Sequence, residues 1–431
     1  MKIGIIGAGL SGLSLAFMLK GFDVEVFESN KKIGGLLRSE KISGFTFDIG
    51  GSHVLFSKNS KILQEIVNVI GKVVEHRRRT FIYYKNDFIK YPFENGIYML
   101  SPNERYEILM DFVQNLLKRE RGELKKPSNL LEWFYYVFGR AITEKYLKPY
   151  NEKLWKRDLR EISLEWIGRV PNPPVEDILK SCVGIPTEGY THQLRFYYPL
   201  SGGIETLIRN LADLADCTIR TDEKVKKISI EDGKVVLNND FVCDLVVSTA
   251  PIDLTVKLFK DWKVMKDYLN LDYNSLTVVG LGVRGKIPDF HWVYVPDKDI
   301  IFHRIAFLSN YSPNMCPENR GCIIAEISRK PNERIKNVLD EVIDGLRKMG
   351  FDFDLDVYGV WEWEYAYIVY NKNYKSVENL RKFLTKRRVI PFGRFGNWEY
   401  LNMDAIWKKS KELADYIRCG YENLSNNTQQ G

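Results

Sequence analysis

Glutamine is scarce in this chain, with five residues in 431. Set beside abundant lysine and glutamate, that scarcity is a composition of heat-adapted proteins. Patterns that tie cysteines or histidines together are missing as well. The six cysteines (Cys182, Cys217, Cys243, Cys316, Cys322 and Cys419) contain no C-x-x-C pair. They read as isolated reduced thiols, which excludes a disulfide frame. The five histidines (His53, His76, His192, His291 and His303) show no ligand spacing such as H-E-x-x-H, so no metal site is expected. No apolar run reaches the ~20 residues of a membrane helix, and no repeat period is visible. No strong charge of one sign dominates: the net charge of +7 is spread along the chain. The short basic runs at 76–80 and 386–388 read as solvated faces rather than a nucleic-acid surface, while a small anionic substrate suits the balance.

What is present is a globular composition, 45% apolar and 28% charged, in a chain longer than one typical core. Two or three interlocked domains are expected. Residues 1–29, MKIGIIGAGLSGLSLAFMLKGFDVEVFES, begin like a signal peptide, with a lysine and an apolar stretch to Leu19. The stretch is too short for a membrane anchor and lacks a small-residue cleavage site, so a cytoplasmic protein is expected.

The glycines decide what this segment is. Gly7, Gly9 and Gly12 form G-x-G-x-x-G after the strand-like Lys2–Ile6 and at the head of a helix-like Leu10–Lys20. A second strand, Asp23–Phe27, then ends on Glu28. This is the order of a dinucleotide-binding βαβ unit. Gly7 permits a tight turn, Gly9 lets backbone approach a pyrophosphate, and Gly12 lets helix pack on strand. Free N–H groups at the helix start attract the phosphates, and Glu28 accepts from ribose hydroxyls.

The following stretch chooses the dinucleotide. Gly34, Gly35 and Arg38, followed by GFTFDIGGSHV with His53, extend the site beyond a pyrophosphate, as FAD requires and NAD does not. Residues 224–251 read as a meander returning through the apolar DLVVSTAP to the cofactor domain. Residues 393–417 read as a glycine-bounded turn into an amphipathic helix whose start faces the flavin. No second G-x-G-x-x-G follows a strand, so a separate NAD(P)H domain is not expected, and NAD(P)H enters only as an external reductant.

Several further stretches occur in the order of one family: GGSHVLFS (50–57), YPFEN (91–95), PYNEKLW (149–155), WIGRVPNP (166–173), GLGVRG (280–285), FHRIAFLSNYSP (302–313) and GRFGNWEY (393–400). On these the chain resembles UDP-galactopyranose mutase, its eukaryotic branch more than its bacterial one, from the glycine loop almost to residue 417. The wider superfamily of amine oxidases, protoporphyrinogen oxidases and carotene desaturases matches on the cofactor motifs. The resemblance implies interconversion of the pyranose and furanose forms of a UDP-sugar, through attack of reduced-flavin N5 on the anomeric carbon with departure and return of UDP.

It also implies roles for individual residues. Arg169 and Arg304 would fork onto the diphosphate, and Tyr294, Tyr367 and Tyr400 would complete that clamp. Tyr91 and Phe93, with Asn151 and Trp155, fall where the family builds its uridine pocket, and Gln193 falls on the sugar side. Glu94 stands where the family carries an amide, and a carboxylate cannot donate to a uracil carbonyl. His53 would lie beside the flavin as a catalytic group. The cofactor positions carried over are Gly7, Gly9, Gly12, Glu28, Gly34, Gly35, Arg38, Val225, Gly393, Arg394, Asn402 and Met403.

The expected fold is α/β in several domains: a glutathione-reductase-type Rossmann FAD domain with a helical insertion and an antiparallel-sheet substrate domain. The FAD domain takes residues 1–78, 196–255 and 388–417. A mostly helical substrate-side domain takes 79–195, a β-sheet substrate domain 256–387, and a tail 418–431. The expected partners are a UDP-sugar and a second copy of the chain in a homo-oligomer, with no integral membrane segment. Two other classes share the cofactor motifs: an FAD oxidase or desaturase for an amine, porphyrinogen or polyene, and a non-enzymatic escort protein. The escort would erode the FAD fingerprint, which is intact here.

Overall fold

The computed structural model describes residues 1–189 and 194–428, without the side chains of Arg169 and residues 421–428. The opening segment folds as β1 (Lys2–Ile6), α1 (Leu10–Met18) and β2 (Asp23–Phe27). β1 and β2 are buried along nearly their whole length, as parallel strands covered on both faces must be. They are the centre of a five-stranded parallel sheet in the order Val389–Pro391, Leu245–Ser248, β1, β2, Thr218–Arg220. A three-stranded antiparallel meander, residues 228–243, hangs beside it.

Gly12 sets how close α1 lies to this sheet. A Cβ there would stand 2.0 Å from the Gly7 carbonyl oxygen, so only glycine permits the approach. The other side of α1 meets the long helix Met403–Thr428, through a Ser14–Ser410 hydroxyl contact of 2.7 Å and Phe17 against Trp407. That helix continues through the segment expected to be a separate tail.

A second sheet has seven strands, in the order Asp354–Val369, Asp272–Arg284, Gly321–Arg329, Arg304–Phe307, Trp292–Tyr294, Thr80–Tyr84, Asp87–Lys90. All its pairings are antiparallel except that of Trp292–Tyr294 with Thr80–Tyr84. One face packs on Phe45 and Phe47 of a hairpin in the cofactor-binding part, and the other is covered by the helix Val338–Lys348. The hairpin Thr80–Tyr84/Asp87–Lys90 was expected among helices. It belongs to this sheet instead, because its apolar alternation finds Trp292–Tyr294 as an edge to pair with.

The remaining part of 79–195 is helical: Pro102–Glu120, Leu130–Ile142, a π-helical turn Thr143–Leu147 and Lys148–Trp155. Its core is Ile108, Phe112, Phe134 and Phe138, all essentially unexposed. Lys153 ties the last helix to the second sheet's loops, its Nζ donating to the carbonyls of Val295 (2.9 Å) and Asp297 (2.6 Å). No helix among the described residues is long and apolar enough to cross a membrane.

Candidate active site

The glycine loop and the second glycine pair come together at the carboxyl end of β1. The Gly34 N–H donates to the Ala8 carbonyl at 2.8 Å, and Gly9 and Gly34 are bridged in parallel. Glu28 accepts at Oε2 from the Ala8 N–H (3.0 Å) and at Oε1 from the Asn30 N–H (2.9 Å), which fixes its carboxylate beside the loop. Val225 is buried just beyond the Glu223 N–H that donates to the Glu28 carbonyl. Gly35 opens the short turn Gly35–Leu37, and Arg38 follows it.

These residues fit an FAD. A Cβ on Gly9 would meet nothing closer than 3.9 Å, so the space over the loop is open to a phosphate. The start of α1 has no side-chain cap and no acidic residue, which leaves its N–H groups for an anion. The Arg38 guanidinium lies 4.7 Å from the Trp363 ring, and its buried Nε has no acceptor among the described residues. A cofactor phosphate or ring would answer that orphan donor.

At the other end of the chain, Gly393 presses against α1, where a Cβ would come 2.2 Å from Ser11 Oγ. Arg394 donates through Nε and Nη2 to the Leu401 carbonyl and lies over the Tyr400 ring at 4.5 Å. Arg394, Tyr400, Asn402 and Met403 all reach a cavity of about 570 Å³. His53 lines the same cavity. Its Nδ1 lies 2.9 Å from the Gly51 carbonyl, the geometry of an Nδ1–H donor, which turns Nε2 into an acceptor. Burial, then the charges of Arg394 and Arg304, push its pKa down to about 3, so the ring is neutral.

Along this cavity the groups lie within electrostatic reach of one another in series: His53 with Arg394 and Arg304, Tyr150 with Arg304 and Tyr294, and Tyr146 with Tyr150 and Glu94. Beyond His53 stands Arg304, whose Nε and Nη2 donate to the two oxygens of Glu326 at 2.8 and 2.6 Å. Glu326 is fully buried and also accepts from the Ser52 N–H (2.9 Å) and the Tyr367 hydroxyl (3.4 Å). The guanidinium fork expected on a diphosphate is therefore spent on Glu326, because a buried carboxylate needs a bidentate cation. Nη1 is the nitrogen not committed to that pair. Tyr294 sits directly opposite Arg304 in the register, with its ring 4.6 Å from Tyr91 and 5.3 Å from Tyr150.

The far end is walled by Tyr91, Tyr146, Tyr150 and Trp166 and closed by Glu94. The Tyr91–Pro92 peptide is cis. Here two expectations are corrected. Phe93 does not line the cavity: it is completely buried, stacked behind Tyr146 at 5.2 Å. Trp155 does not line it either; it lies one layer deeper, edge-on to Trp166 at 4.6 Å. Asn151 does line it, but its amide is used inside its own helix, Nδ2 donating to Leu147 and Oδ1 accepting from the Trp155 indole. Glu94 is 1% exposed with Oε1 unpartnered, and burial pushes its carboxyl up to about 7. Burial thus holds the carboxylate expected there toward its neutral form.

Gln193 lies outside the described residues, and so does the Arg169 side chain; the Arg169 backbone ends the turn Leu164–Arg169. Glu326, Tyr146, Tyr150 and Trp166 were missed. Tyr150 and Trp166 lie inside the quoted motifs, and Tyr146 is one helical turn before Tyr150, a spacing that could have found it. Nothing in the wholly buried strand Gly321–Arg329 singles out Glu326.

The flavin-containing amine oxidoreductase family model matches residues 10–382, most of the chain. The chain belongs to that family. FAD is accordingly the cofactor of this amine-oxidoreductase-type flavoprotein. It is 24% identical over 381 residues to coproporphyrinogen III oxidase of Staphylococcus aureus, covering 78% of this chain and 79% of the relative. It is 21% identical over 448 residues to protoporphyrinogen oxidase 2 of Arabidopsis thaliana, covering 87% and 85%. Among solved structures, a reduced UDP-galactopyranose mutase superposes with a TM-score of 0.88 at 25% identity, covering 96% of this chain and 93% of that one. The mixed α/β multi-domain architecture is thus shared with that mutase.

Proposed function

We propose that this flavoenzyme is a nucleotide-sugar mutase that interconverts the pyranose and furanose forms of a UDP-sugar, UDP-galactopyranose and UDP-galactofuranose. The observation that carries this reading is the sequence of groups along one cavity, from a neutral His53 beside Arg394, through Arg304, to an aromatic chamber closed by Glu94. That order matches sugar, diphosphate and base. The likeness to a reduced mutase over nearly the whole length of both chains supports it. Reduced FAD, when bound, supplies the nucleophile toward the anomeric carbon.

The chain's own residues bind, orient and exclude water. Arg304 presents Nη1 to a phosphate while Glu326 holds its plane, and Arg169 would supply a second guanidinium. Tyr294, Tyr367 and Tyr400 offer hydroxyls along the same wall. His53 Nε2, an acceptor at every working pH, can take a hydrogen bond from a sugar hydroxyl or a ring N–H. The Tyr91, Tyr146 and Tyr150 rings give the base its faces.

Stopped assays on UDP-galactopyranose and UDP-galactofuranose with oxidised and dithionite-reduced protein test the reading. Turnover is expected with reduced flavin alone, without net consumption of reductant. The second reading, an FAD oxidase of the porphyrinogen type, draws on the two oxidase relatives. Stoichiometric hydrogen peroxide from a porphyrinogen or an amine, with no sugar isomerisation, would establish it instead.

A further inference from the structure

Glu94 is an unusual wall for a ligand chamber. It sits in the four-residue helix Phe93–Gly96, reaches the cavity, and leaves Oε1 buried with no hydrogen-bond partner among the described residues. No cation among the described residues pairs with it. The neighbouring strand carries Asp87 and Lys90, and Lys90 Nζ is held 2.7 Å from Glu188. The helix Val175–Cys182, packed on the other side, carries an exposed Glu176–Lys180 pair at 2.6 Å, Asp177 and the buried Cys182 thiol, which burial pushes up to about 11. The turn Ile97–Met99 brings only Tyr98, and the turn Thr143–Leu147 presents Tyr146, whose charged form Glu94 would oppose. Across the cavity stands Arg304, bound to Glu326. Lys58 and Asp404 line the same cavity.

A carboxyl in such a place has two states that read different partners. Ionised, it offers two acceptors side by side, which match the adjacent N–H donors of guanine. Neutral, it offers a donor beside an acceptor, which match a ring N–H beside a carbonyl, as in uracil. The ionised form is also the one that burial of Glu94 disfavours, with no cation among the described residues to offset it. We propose that Glu94 reads the base as a neutral carboxylic acid, its O–H donating to a uracil carbonyl and its carbonyl oxygen accepting the adjacent ring N–H. The nucleotide-sugar then binds together with a proton, taken up in proportion to the ionised fraction of free Glu94. This inference rests on the nucleotide-sugar reading above and adds the residue that chooses the base.

Calorimetric titration of the FAD-loaded protein with UDP-galactopyranose, from about pH 6 to 8.5, tests it, with GDP-mannose as the donor-rich comparison. The sugar diphosphates are diesters and hold their charge through this range. Wild-type Kd should be flat below about pH 7 and rise above it, approaching tenfold per pH unit, and the observed heat should vary with buffer ionisation enthalpy with a slope that gives the protons taken up. Glu94→Gln keeps a donor beside an acceptor, so it should bind at every pH with the low-pH affinity and no proton uptake. A flat wild-type profile overturns the inference and leaves the nucleotide-sugar reading standing. So does GDP-mannose binding more tightly than UDP-galactopyranose and strengthening with pH. Should Glu94→Gln fail to load FAD, the wild-type profile and the GDP-mannose comparison decide alone. Failure of UDP-galactopyranose to bind wild-type protein at any pH removes the nucleotide-sugar reading itself.

Discussion

Arg304 and Glu326 form a bidentate ion pair in which the carboxylate is wholly buried and the guanidinium reaches the ligand cavity. Breaking such a pair on one side leaves an uncompensated charge. Arg304→Ala should lower stability by about 3–5 kcal/mol and UDP affinity by tenfold or more. Arg304→Lys keeps the charge but cannot grip Glu326 with two nitrogens while presenting a third to the ligand, so UDP affinity should still fall about tenfold. The double change Arg304→Met with Glu326→Gln should recover much of the stability and none of the affinity. Denaturant unfolding and UDP calorimetry read the two effects separately. An Arg304→Ala protein as stable as wild type would show that Glu326 does not depend on this partner.

The two inner glycines of the loop should fail in different ways. A side chain at Gly9 enters open space, so Gly9→Val should fold and lose flavin absorbance because it fills the phosphate position. A side chain at Gly12 meets the Gly7 carbonyl, so Gly12→Val should lose the fold itself. Flavin-to-protein ratio and thermal unfolding distinguish them. Full flavin content in Gly9→Val would put the cofactor elsewhere.

His53 should not titrate in the physiological range. Its pKa is held near 3, so its ring resonance should stay flat between about pH 5 and 8, and the activity profile should owe no limb to it. His53→Asn preserves a donor toward the Gly51 carbonyl and removes the Nε2 acceptor. That variant should keep FAD and lose turnover by roughly tenfold or more, as expected for a lost catalytic contact. A resonance that moves near pH 6.5 would show a charged imidazole instead.

Lys153 makes stability rise with pH. Burial lowers its pKa to about 7 from the ordinary 10.5, so above 7 the unfolded chain holds a proton that the fold has released. The cost of the buried ammonium is present below pH 7 and is relieved as pH climbs from about 7 toward 10. Lys153→Met should abolish that upward slope in unfolding free energy, measured by urea titration at several pH values. A variant that tracks wild type across the range would mean Lys153 is charged throughout.

The cofactor half was legible because its rules are local. Three glycines, a strand on each side and a terminal acid fix β1, α1, β2 and the Glu28 position within 28 residues. The hairpin at 80–90 was misplaced because its partner strand lies some two hundred residues on, and no local pattern announces a parallel pairing of Thr80 with Trp292. In the chamber the motifs named the right segments but not the right side chains. Helix phase decides that Tyr146 and Tyr150 face the cavity while Trp155 turns inward, and layer order puts Phe93 behind Tyr146. Glu326 was invisible because a strand buried on both faces has no polar side to mark an exception.

The parallel sheet that carries the glycine loop takes strands from residues 2–6, 23–27, 218–220, 245–248 and 389–391. During synthesis the loop emerges first and its last neighbouring strand emerges almost four hundred residues later. At the usual pace of ~5–20 residues per second, the nascent fingerprint waits for tens of seconds with its platform unfinished. Joining ends so distant in sequence also makes for slow folding. Flavin loading thus belongs after the last of these strands has emerged, and a chain stopped short of Val389–Pro391 leaves the Leu245–Ser248 strand as a bare edge open to aggregation.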